Sequence, residues 1–114
     1  MVILGSTFQS NHLYVVISDP AKHAGKCVLV NLTTQRAASD TTCVLVAKDF
    51  PSFIHHPTVV NYSDAILADV ASIEKIINEG LVRSHPVMEP GVLQRVIAGA
   101  MSSPAFPTGL KKYL

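Results

Sequence analysis

The chain changes its hydrophobic rhythm about two thirds of the way along. Before that point, short runs rich in β-branched and aromatic residues are separated by polar breaks, the pattern of strands. Residues 13–18 (LYVVIS) end at Asp19-Pro20, a turn signal, and residues 27–32 (CVLVNL) follow the loop AKHAG. Residues 42–47 (TCVLVA) follow the polar connection TTQRAASD. Each run predicts a strand, and their near-continuous apolar character predicts cover on both faces or a place at an interface. Residues 58–68 predict either one bent strand or two short ones broken near Ser63-Asp64.

The last third has a helical period. Val70, Ile73, Ile76 and Ile77 share one face of a helix predicted over 70–79, and Gly80 follows as its C-terminal cap. A second helix starts at Pro90, a first-turn residue, carries the stripe Val92, Leu93, Val96, Ile97 and Ala100, and stops at Ser103-Pro104. The tail 104–114, punctuated by Pro and Gly, predicts irregular structure. Strands first and helices last predict a mainly β domain, a small antiparallel sheet or partly closed barrel covered by C-terminal helices.

Length confines this pattern to one domain over 1–114. An apolar content of 48% against 15% charged residues is high for the surface of a small monomer, which predicts self-association. The net charge of +1 does not by itself call for a nucleic-acid partner, although a local basic patch is compatible with it. Cys27 and Cys43 lie inside apolar runs, which predicts buried free thiols, not a disulfide or a nucleophile. The N-terminus lacks the basic region of a signal peptide, and no apolar stretch is long enough to span a bilayer, so the expectation is a cytoplasmic protein.

Chemistry is concentrated around PSFIHHPTVV, where His55 and His56 precede Pro57. In extended chain, neighbouring side chains point to opposite faces, so only one of the two can serve a given site. No Gly-rich phosphate loop or zinc-ligand spacing is present. With 6% aromatic residues and no Trp, an extended base-stacking surface is not expected.

The order HLYVVIS (12–18), VLVNLTT (28–34), TVVNYSDAILAD (58–69), short helix and final helix resembles the MazF/PemK-like toxin superfamily. A closer likeness is to an uncharacterised bacterial subgroup, on HLYVVISDP (12–20), VNLTT (30–34), DTTC (40–43) and KDFPSFIHH (48–56). The resemblance implies an SH3-like barrel, usually homodimeric, that cuts single-stranded RNA without metal or cofactor and is restrained by a small antitoxin protein. The chain departs from the pattern at His12, where the toxins carry arginine, and at the N-terminus, where their first strand is not recognisable. In the subgroup's pattern, Phe50 stands where a histidine is expected and Ser52 is an insertion.

Carried over position by position, the resemblance implies a catalytic set of His12, Thr33 and His56. Thr34, which matches the second residue of the toxins' Thr-Ser pair, is a candidate substrate contact, as are the basic residues His23, Lys26 and Arg36 by their own chemistry. Two imidazoles, one protonated and one neutral, can act as acid and base, and hydroxyls and cations can hold a phosphate. The alternative at each position is architectural: His12 and His56 as polar residues at strand entrances, Thr33-Thr34 as turn formers, and His23 as a solvated loop tip. A binding or regulatory module on the same barrel, without catalysis, is the competing function.

Overall fold

The computed structural model describes residues 2–5, 12–85 and 88–114, and side chains within 13–84 and 88–114. In chain order the elements are β1 (Val2–Gly5), β2 (His12–Val16), β3 (Lys26–Thr34), β4 (Val44–Leu45) and β5 (Thr58–Asp69). Then come α1 (Val70–Asn78), β6 (Val82–His85) and α2 (Pro90–Ser102). The strands form one sheet of order β4-β5-β3-β2-β1-β6, with every neighbouring pair antiparallel. The fold is therefore mainly β, a curled open sheet with helices on its faces.

The long pair β3–β5 is the spine, and its register decides the shape. Lys26 to Leu29 pair with Asp69 to Ile66, and Asn31 to Thr34 pair with Asn61 to Thr58. Between these two ladders the single residue Val30 faces the four residues 62–65, so β5 carries three extra residues. An odd number of insertions reverses which side chains face which way. Val60 and Tyr62 enter the core on one side of the bulge, and Ala65 and Leu67 pack against that same core on the other side. Asn61 Nδ2 donates to Asp64 Oδ2 at 2.9 Å and Ser63 Oγ donates to Asn61 Oδ1 at 2.9 Å, tying the extra residues down. The predicted break near Ser63-Asp64 is thus a bulge within one strand.

Each face of the sheet has its own core. On one, Val15, Val28, Val30 and Leu32 meet Val92, Val96 and Ala100 of α2, with Leu45, Phe50, Ile54 and Phe106 closing the sides. On the other, Tyr14, Cys27 and Leu29 meet Ile73 of α1 and Val82 of β6. The chain leaves α1 through Gly80 at φ +75°, the left-handed conformation that a side chain would strain. Both cysteines are buried free thiols, and burial pushes both thiols up from their ordinary range.

Three expectations need correction. The strand predicted over 42–47 shrinks to Val44–Leu45, because polar side chains claim its ends. Asp40 Oδ1 accepts the Thr42 N–H at 2.9 Å, and Asp49 Oδ2 accepts the Val46 N–H at 2.8 Å. The tail is not irregular throughout: Thr108–Tyr113 winds into a 3-10 helix. Its Leu110, Tyr113 and Leu114 pack against the α2-side core. Finally, β1 and β6 add a pair of strands at the sheet edge that the hydrophobic runs had not indicated.

Candidate functional site

The C-terminal end of β3 is where the candidate residues collect. Thr34 pairs with Thr58 and Thr33 with Val59, so the two threonines lie at the end of the β3–β5 ladder. Beyond them the chain turns on itself. Gln35 N–H donates to the Pro57 carbonyl at 3.1 Å, and Arg36 N–H donates to Ser39 Oγ at 2.7 Å. These bonds hold Arg36 beside the segment that enters β5.

His56 sits in that segment. Thr58 Oγ1 donates to its carbonyl at 3.0 Å, and its ring Nε2 lies 3.0 Å from Thr34 Oγ1. His56 is exposed and Thr34 half-buried, so the pair faces solvent. Thr34, Gln35, Arg36, Ala37, His56 and Pro57 line a depression of about 570 Å³. A neutral ring with its hydrogen on Nδ1 accepts the threonine O–H, and an imidazolium donates to it. Hydroxyl, imidazole and guanidinium together make a surface suited to an anion with exchangeable protons nearby.

The hydroxyl bonded to His56 is that of Thr34, whereas the expected catalytic set joined His56 with Thr33 and His12. Thr33 borders a separate recess of about 370 Å³ on the other side of Arg36. Position 12 opens β2, opposite Gly5 of β1. In the register that pairs Leu13 with Leu32, it comes abreast of Thr33. The His12 side chain lies outside the described residues. His55 and His56 are both exposed and lie in a bend ahead of β5, so the alternation expected of extended chain does not separate them.

His23 and Lys26 belong to the opposite end of the molecule. Lys26 begins β3 and Thr34 ends it, separated by about 26 Å of extended strand at ~3.3 Å per residue. Lys26 Nζ is paired with Asp69 at 3.2 Å. His23 is not a free loop tip: it is half-buried and stacks edge-on against Tyr113 of the tail, with centroids 5.5 Å apart. The local sequence AKHAGK gives no sign of this, because Tyr113 is ninety residues away in the chain.

A polar row beneath the rim was also missed. Tyr14, Asn31 and Asn61 are successive ladder partners across β2, β3 and β5. Tyr14 and Asn31 are 2% and 1% exposed, and Asn31 hydrogen-bonds the Tyr14 side chain. Burial raises the Tyr14 phenol above its ordinary value; the Asn31 bond opposes that rise and the Asp64 charge adds to it. Asn31 Oδ1 has no hydrogen-bond partner among the described residues. The available signal was a lone Asn interrupting each of the apolar runs VLVNL and VVNY.

Comparison with known proteins leaves the family open: no family model matches the chain, and no curated protein or solved structure does so. Among the described residues, no helix is long and apolar enough to cross a membrane.

Proposed function

We propose that this chain is a metal-independent endoribonuclease of the MazF/PemK-like kind, a toxin that cuts single-stranded RNA at the β3 rim. The observation that carries the reading is the solvent-facing Thr34–His56 hydrogen bond of 3.0 Å beside Arg36. In such a reaction a neutral imidazole takes the proton of the ribose 2′-OH. The freed 2′-oxygen bonds to phosphorus as the bond to the 5′-oxygen breaks, and an acid gives that oxygen a proton. His56 is the residue placed to move the proton. Thr34 orients its ring, and Arg36 stabilises the charge that builds on the phosphate oxygens. Only RNA supplies the 2′-OH, so DNA is not cut.

The same reading makes the protein a cytoplasmic homodimer held inactive by a small antitoxin. A binding module on this fold, with catalysis lost, is the second reading. It is favoured by one feature of the sequence: His12 stands where the toxins carry arginine. The deciding experiment incubates purified protein with mixed single-stranded RNA in the presence of a chelator. Cleavage leaving 2′,3′-cyclic phosphate ends, reduced about a hundredfold or more in His56→Ala, supports the nuclease. Retention of RNA without cleavage selects the binding module, and no interaction with RNA removes both.

A further inference from the structure

The second recess at the rim, about 370 Å³, is bounded by the end of β3, the turn at 36–40, the β5 bulge and Ala105. That volume suits a small-molecule moiety. Val59, Val60 and Ala38 supply apolar wall, and Ser39, Asp40, Asn61 and Ser63 supply polar edges. Arg36 belongs to both this recess and the Thr34–His56 depression.

The polar edges are rich in unused acceptors. Asn61 gives one amide hydrogen to Asp64 and takes one hydrogen from Ser63, which leaves one donor and one lone pair. Asp40 Oδ2 takes the Ser103 hydroxyl at 2.6 Å and keeps a further lone pair. The Ser103 and Thr42 bonds hold the Asp40 carboxyl below its ordinary range, so it is an anion at neutral pH. An occupant that satisfies this set brings hydrogen-bond donors.

We propose that the recess binds the base of a nucleotide and selects bases that carry an exocyclic amino group, with the attached phosphate held at Arg36. This deepens the RNA reading of the rim and rests on it. Adenine, cytosine and guanine each present an amino donor to Asp40 and Asn61. Uracil has no amino group; its N3–H donor is flanked by two carbonyl oxygens, which a carboxylate repels.

Titration of the ¹⁵N-labelled full chain with each nucleoside 5′-monophosphate tests the assignment. Expected are shifts at Arg36, Ser39, Asn61 and Ser63, with AMP, CMP and GMP binding at least about tenfold more tightly than UMP. Ala38→Trp fills the recess from an exposed position and abolishes those shifts while the rest of the spectrum stays folded. Equal or tighter binding of UMP overturns the proposal. So do shifts confined to 34–37 and 56–57 that Ala38→Trp leaves intact, or no binding of any of the four. RNA cleavage by the wild-type chain in that last case leaves the nuclease reading standing and removes only the base recess.

Discussion

The Tyr62 hydroxyl donates to the carbonyl of Val96 at 2.7 Å, fastening the β5 bulge to the middle of α2. One turn further along the helix, Gly99 is what lets the ring in, since a Cβ there would overlap the Tyr62 hydroxyl. Burial raises the Tyr62 phenol far above its ordinary value, so it keeps its proton and remains a donor at neutral pH. The strand bulge and the helix glycine are thus one packing unit.

Gly99→Ala is therefore expected to destabilise the fold by about 1–3 kcal/mol, despite the better helix propensity of alanine. Tyr62→Phe in the same chain removes the overlapping oxygen and should recover part of the loss. Urea midpoints of the single and double variants read this directly. A Gly99→Ala midpoint at or above wild type contradicts the close approach.

Asp49 predicts an acid-sensitive contact. Its carboxyl is almost fully buried and lies below its ordinary value of 3.8, first because it accepts the Val46 N–H and also because Arg95 pairs with it. Arg95 bonds Asp49 Oδ1 and the Val44 carbonyl, each at 2.9 Å, so α2 clamps the loop that carries β4. A folded-state value depressed below the unfolded one stabilises the protein above about pH 4, and the contribution is lost as pH falls through the folded value. Asp49→Asn should flatten stability against pH between about 5 and 2. Arg95→Ala is expected to cost about 1–2 kcal/mol at pH 7, discounted because half of the arginine side chain is in water. Thermal unfolding at stepped pH measures both.

The two ends of β3 should behave differently in any RNA assay. Thr34→Val and Arg36→Ala are expected to weaken cleavage or binding by about tenfold each, since both residues border the His56 depression. Lys26→Ala should leave RNA activity unchanged and stability within about 0.5 kcal/mol, because its exposed pair with Asp69 lies at the far end of the strand. Equal losses at Lys26 and Arg36 would mean that RNA engages the whole length of β3.

The tail is expected to be part of the fold. Phe106 is 3% exposed, and Leu110 and Leu114 pack on the same core. Truncation after Pro107 removes the residues that stack on His23 and cover that core. It should lower the unfolding midpoint and increase binding of an apolar dye. The smaller change Tyr113→Ala should do the first to a lesser degree. An unchanged midpoint after truncation would show the tail to be an ornament.

Local chemistry was enough to make much of this fold legible from the amino-acid order. The β-branched runs around Val15, Val28 and Val60 prefer extended backbone wherever they are placed. Pro90 and Gly80 punctuate helices through their own φ angles. The pairing of Thr34 with His56, the three-residue offset between β3 and β5, the Asp49–Arg95 clamp and the Tyr113–His23 stack belong to tertiary structure. Each joins residues at least twenty-two positions apart, where no short-range preference acts. Register, with the face each side chain takes, is settled only when two strands and the helix above them are packed together. A bulge of odd length then reverses what simple alternation would have assigned.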